Sequence, residues 1–316
     1  MTDPLIRRHV QDGIATVTLA SPGTLNALST PMLAALEDSF AALGLDDSIR
    51  VVILAAEGKA FSAGHDLKEM QGFRTAPDGG KAQYQALFDR CARVMQAISA
   101  LPQPVIAQVQ GVATAAGCQL ACSCDLIVAS ETARFGVNGI NLGLFCSTPA
   151  VALSRRLAPG AAFELLTTGD FLSAPRAHAL GLVNRLAPPD QLEAETLKLA
   201  ASIAAKDPAA IRLGKRAFQT QLGQRSGLEV LHHHIGRACQ PQGCLQPPRV
   251  AQIECHTLFV AIEQREKPGS RAQQVAGAVA FHRLHLDHFG PEVRQNQAAG
   301  RPHDHVGKLH HSQARQ

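Results

Sequence analysis

Up to Gln221 the apolar positions fall into short unbroken runs separated by stretches of helical period. VVILAA (Val51–Ala56) and VIAQV (Val105–Val109) are continuous apolar runs of strand length. That is the pattern of strands covered on both faces in a parallel sheet. DLIVAS (Asp125–Ser130) reads as a further strand, and residues 10–19 as an edge hairpin turning at Asp12-Gly13. Ser29 or Thr30 caps a helix that opens on Pro31, carries Leu33, Leu36 and Phe40 on one face, and ends at Gly44. A second helix covers 82–100 with Leu87, Val94 and Ile98 inward, and Pro102 and Pro104 stop it. Helices are also predicted around 148–157, 160–168, 175–180 and 190–205, with GLVNRL (Gly181–Leu186) between the last two, and from Pro208 to Gln221. Strands alternating with helices predict an α/β fold.

Two turns between these elements are built from small residues. After the Val51 strand comes AFSAGHDLKEM (Ala60–Met70), where Ser62-Ala63-Gly64 leads into an acidic helix start. After the Val105 strand comes GVATAAG (Gly111–Gly117), continuing as a short helix, CQLACSC (Cys118–Cys124). Small side chains at a strand-to-helix turn leave main-chain N–H groups bare at a helix N-terminus, where the dipole favours negative charge. Two such turns aimed at one point would make a two-donor oxyanion hole. On spacing alone packing is the favoured reading, since strand–Gly–helix turns are common.

Composition narrows the classes. The net charge of +4 over 316 residues gives no argument for nucleic acid, and no apolar run approaches a membrane span. The N-terminus has no apolar h-region, and eight cysteines without a disulfide framework suit a reducing compartment, so a cytoplasmic location is expected. Neither GxxxxGK[ST] nor GxGxxG occurs. Cys118, Cys122 and Cys124 form a C-x₃-C-x-C run with no histidine beside it, so buried thiols are expected there rather than a metal site.

The motifs resemble the crotonase, or enoyl-CoA hydratase/isomerase, family. The resemblance rests on TLNALS (Thr24–Ser29), AFSAGHDLKEM, PVIAQVQGVATAAGCQLACSCDLIVAS (Pro104–Ser130), ARFG (Ala133–Gly136) and TTGDFLSAPRAHALGLVNRL (Thr167–Leu186), in matching order over roughly residues 10–222. GHDLKEM and NLGLFCSTP (Asn141–Pro149) are the stretches closest to one subgroup of it. The resemblance implies a crotonase-like spiral of ββα units, assembled as a homotrimer or a hexamer of paired trimers. It implies an acyl-CoA ligand of fatty acid metabolism, with coenzyme A as part of the substrate and no separate cofactor. The thioester oxygen would sit between the backbone N–H groups of His65 and Ala116. Ala63, Gly64, His65, Asp66, Leu67 and Lys68 would line the CoA site, Lys68 near the phosphates and Asp66 as the helix-start residue. Asn141 and Cys146 are further pocket candidates, and Lys59 and Arg74 are expected in solvent.

One departure bears on the reaction. Hydratases of this family use two glutamates, and the matching positions here are Gln119 and Gly139. An amide cannot act as a general base near neutral pH, and glycine has no side chain. The resemblance therefore implies an acyl-CoA enzyme without the ordinary pair of carboxylates; the alternative is a non-catalytic acyl-CoA-binding or regulatory protein.

From about Gly223 the composition breaks. Residues 227–316 hold 11 of the 14 histidines, with 11 glutamines, 8 arginines and only Lys267 and Lys308. A domain over 1–222 is expected, with 223–316 as an anomalous tail. Three readings stand open: a metal module using Cys239, Cys244, Cys255 and His256, although these spacings fit no zinc pattern; a disordered tail; or an out-of-frame translation of a GC-rich gene. The abrupt change in mid-helix and the near loss of lysine favour the last, and with it weakened trimerisation. Reading the other frames of the coding DNA is expected to restore a family-like ending just past Gln221. If no frame does so, the out-of-frame reading is wrong.

Overall fold

A computed structural model describes residues 4–223, and the tail read above lies outside the described residues. The chain opens with β1 (Ile6–Gln11) and β2 (Ile14–Leu19), the antiparallel hairpin expected from sequence but starting at Ile6. α1 (Thr30–Gly44) is capped by Ser29, whose Oγ accepts the Met32 N–H at 3.4 Å, with proline in the first turn. Next come β3 (Val51–Ala56), β4 (Ala60–Ser62), α2 (Leu67–Phe73) and α3 (Lys81–Ala100). β5 (Val105–Val109), β6 (Val112–Thr114) and α4 (Ala116–Ser123) follow, so this helix starts two residues before the predicted Cys118. β7 (Leu126–Ser130) and β8 (Arg134–Gly136) lead into a 3-10 turn over Asn138–Leu142. Then come α5 (Ser147–Ser154), α6 (Pro159–Thr168), β9 (Phe171–Ser173), α7 (Ala174–Ala179), β10 (Arg185–Ala187), α8 (Leu192–Ala204) and α9 (Pro208–Gly223).

The strands sort into two sheets. One runs β1-β2-β3-β5-β7-β10, parallel except for the hairpin; the other runs β4-β6-β8-β9, with only β9 antiparallel. β3, β5 and β7 of the larger sheet each pass within a few residues into β4, β6 and β8 of the smaller one before the chain turns helical. That repeat is the expected spiral of ββα units.

The continuous apolar runs are explained by burial on both faces. Val52 and Leu54 of β3 point into the main core with α1 and α3, while Val51, Ile53 and Ala55 pack beneath Leu192, Leu199 and Ala200 of α8. Alternate residues of one strand thus serve two cores.

α9 is fastened differently. Lys215 Nζ lies 2.6 Å from Asp125 Oδ2, with both side chains largely out of water, and it also donates to the Ile98 and Gln103 carbonyls. Asp125 accepts in addition from Val105 N–H at 2.7 Å and from Gln219 Nε2 at 3.1 Å. Asp125 is thus the anchor between α9 and the β5–β7 side of the sheet. Removing one partner of a buried pair costs about 3 kcal/mol, because the other charge stays buried. Lys215→Met should lower the urea midpoint by that equivalent; a loss under about 1 kcal/mol, the scale of a surface pair, would show that α9 is held by other contacts.

Candidate functional site

The two small-residue turns meet. β4 ends at Ser62 and the chain passes through Ala63 and Gly64 to His65, with Gly64 at φ 86°. A Cβ on Gly64 would stand 3.0 Å from the Ala115 Cβ, 3.0 Å from the Thr114 carbonyl oxygen and 3.1 Å from the Ala116 nitrogen. Only glycine meets both the backbone angle and the space. On the facing side, a Cβ on Gly117 would run into the Ser62 carbonyl. Backbone therefore lies directly on backbone, and the first turn of α4 rests on the end of β4.

Ala115 joins β6 to α4 at φ 50° and ψ −123°, a conformation that side chains disfavour by about 1–3 kcal/mol. It is held by its own N–H, which donates to the Gly136 carbonyl at 2.9 Å. Thr114 Oγ1 donates to Asn138 Oδ1 at 2.8 Å and ties the same turn to the 3-10 segment.

The loop before α1 runs alongside the first turn. Ala63 N–H donates to the Leu25 carbonyl, Ser62 Oγ to the Asn26 carbonyl, and Leu28 N–H to the Gly64 carbonyl. Asn26 is fully buried at φ 52°; its Nδ2 donates to the Glu57 and Ala60 carbonyls. Leu28 and His65 form a parallel bridge, so the N–H of His65 faces away from the loop. Among the described residues, neither His65 N–H nor Ala116 N–H has a hydrogen-bond acceptor, while the N–H groups just before them are engaged. Ala116 opens α4, where the dipole adds positive potential.

Gln119 lies one turn further along α4, where helical side chains lean toward the N-terminus. The residue is 7 % exposed, and its Oε1 is buried without a donor among the described residues.

A family model described as enoyl-CoA hydratase/isomerase matches residues 9–237, past the composition break near 223. The chain belongs to the enoyl-CoA hydratase/isomerase family. Enoyl-CoA hydratase domain-containing protein 3, mitochondrial, of Mus musculus is 43% identical over 214 residues, 68% of this chain and 70% of that protein. A solved enoyl-CoA hydratase from Mycobacterium smegmatis is 50% identical with a TM-score of 0.69, covering 74% of this chain and 89% of that one. The crystal structure of human enoyl-CoA hydratase domain-containing protein 3 is 38% identical with a TM-score of 0.68, covering 74% and 90%. The subgroup suggested by GHDLKEM and NLGLFCSTP is that of domain-containing protein 3.

The other candidates of this family member fall in several places. Asp66 caps α2, its Oδ1 accepting from the Lys68 and Glu69 N–H groups, so that carboxylate is committed to the helix start. Leu67 and Lys68 are exposed, as are Lys59 and Arg74, and Ala63 is half-buried. Gly139 sits in the 3-10 turn, where a Cβ would stand 2.7 Å from Cys146 Sγ and 2.8 Å from the Leu144 carbonyl oxygen. The Cys146 thiol thus fills the room a side chain at 139 would take, and burial raises its pKa. Asn141 turns toward Gly169 at the end of α6, where its amide would meet an added Cβ at 2.8 Å. Cys118, Cys122 and Cys124 are buried free thiols, and no group of metal-ligating side chains occurs among the described residues.

Sequence reading named Ser62 as a small turn residue but missed its bond to the Asn26 carbonyl, the Thr114–Asn138 pair and the internal bonding of Asn26. TLNALS was noticed as a motif, yet nothing in its wording says that it zips onto residues 62–65.

The His65 ring is engaged by the Leu28 loop and by Phe88 of α3. Its Nδ1 contacts the Leu28 carbonyl at 3.2 Å, and its plane meets Phe88 edge-on, at 87° with centroids 5.2 Å apart. A carbonyl only accepts, so Nδ1 carries the hydrogen of this contact. Burial lowers its pKa, partly opposed by the Leu28 bond and by Glu69. The unfolded chain then takes up this proton at a higher pH than the folded one, near the ordinary value of about 6.5. The stabilisation is complete above that pH and falls as pH drops through it. Urea midpoints are expected to decline from about pH 7.5 to 5.5, and to decline less in His65→Asn. Equal slopes in both proteins would contradict this.

Proposed function

We propose that this chain binds an acyl-CoA thioester and polarises its carbonyl between the His65 and Ala116 N–H groups. The carrying observation is the pair of acceptor-free N–H groups on two turns in van der Waals contact. Donors fixed in advance by the backbone need no reorganisation when negative charge develops on a thioester oxygen. The buried, unpartnered Oε1 of Gln119 supports a ligand or water hydrogen at the same place.

The proposed activity is an enoyl-CoA hydratase/isomerase type of reaction in fatty acid metabolism, run without the two glutamates. Gln119 can orient a water or a ligand group but cannot take a proton, and Gly139 has no room for a side chain. Polarisation acidifies the thioester α-carbon and activates a conjugated β-carbon, so proton movement would rely on solvent or on the ligand. A second reading, a non-catalytic acyl-CoA-binding protein, is favoured by the filled notch at Gly139.

A turnover and binding panel of enoyl-, 3-hydroxyacyl- and saturated acyl-CoAs separates them, with turnover of at least one enoyl thioester expected. Binding without turnover across the panel would leave only the second reading. Ala116→Pro removes one donor at the first helical position, where proline is tolerated. It should lower turnover about 10²–10³-fold, the effect of deleting one oxyanion donor. Turnover unchanged by that substitution would remove the proposed site.

A further inference from the structure

The peptide joining Gly64 to His65 supplies the first of the two donors, and Gly64 is the most permissive residue next to it. Its carbonyl is held by the Leu28 N–H at 2.7 Å, so its N–H projects the other way. The His65 imidazole then returns to the same residue, with Nδ1–H on the Leu28 carbonyl at 3.2 Å. Both main-chain groups of Leu28 are thus clamped by residues 64 and 65. The outer edge of the ring is stopped by Phe88 of α3. Past the clamp the seam continues, since Glu69 Oε2 accepts the Thr30 N–H at 2.9 Å. A backbone donor alone needs no side chain at this position, so a ring fixed at two points calls for a separate account.

We propose that the His65 imidazole is a positioning residue: by closing the clamp on Leu28 and abutting Phe88, it fixes the plane of the 64–65 peptide and the aim of its N–H. The ring touches neither ligand nor proton. It acts on the thioester carbonyl only through the backbone, and in this respect the inference rests on the acyl-CoA reading above. An N–H displaced by a fraction of an ångström loses most of its effect on developing charge, so a looser peptide should cost polarisation before it costs binding.

Two substitutions separate the ring's two contacts. His65→Phe keeps the packing on Phe88 and loses the donor; His65→Asn keeps a donor near the Nδ1 position and loses the ring. The probe is a 2,4-dienoyl-CoA, whose absorbance moves to longer wavelength when its carbonyl is polarised. Wild type should show that shift, His65→Asn should retain most of it, and His65→Phe should lose most of it while still binding the probe. Hydrogen exchange at the Leu28 amide, measured without any thioester, should quicken in His65→Phe and stay near wild type in His65→Asn. If wild type gives no shift but the exchange pattern holds, the acyl-CoA reading fails and the clamp stands. If wild type shifts the probe and both variants shift it equally, or if the three proteins exchange alike at Leu28, the clamp is overturned.

Discussion

The contact of Gly64 with the Thr114–Ala116 backbone is the constraint on which the site depends. No Cβ fits at Gly64 or at Gly117, and both positions are needed for two strand ends to touch. Hydrogen bonds then follow from that approach. With Ala63, Gly64 and Ala115 committed to neighbours, the N–H groups of His65 and Ala116 are left without an acceptor among the described residues. Strain at Ala115 is the counterpart: its backbone is held in a disfavoured conformation by the Gly136 carbonyl and by the spiral that brings β6 beside β8.

The larger sheet supplies the rigidity for this. β3 and β5 are buried on both faces, and their ends launch β4 and β6 toward the smaller sheet. α8 covers one face of the sheet, and the ion pair of Lys215 with Asp125 ties α9 to the edge where β5 begins. The turns therefore project from strands that have little freedom to shift.

Much of this was legible in the sequence, for specific reasons. The VVILAA and VIAQV runs signal two-sided burial, and Ser29 followed by Pro31 signals a helix start; both are local rules obeyed here. The small-residue turns were visible as composition. The three-residue strands β4, β6, β8 and β9 were not, because so short a segment has no period and is defined only by its partners. The same holds for Asn26, whose side chain bonds to carbonyls 31 and 34 residues away in the chain. Ala115 was hidden for the opposite reason: alanine at a positive φ contradicts its own propensity, and only tertiary contacts hold it there.

The thiol of Cys146 above Gly139 couples two positions that sequence keeps seven residues apart. A glutamate introduced at 139 would meet that sulfur and, behind it, the Leu144 carbonyl, which cannot be trimmed by mutation. A smaller residue at 146 would clear the first obstacle, and a shift of the 144–146 main chain the second. Acquiring a carboxylate here is thus not a single step from this sequence. The substitutions are epistatic, and each intermediate carries either a clash or a cavity.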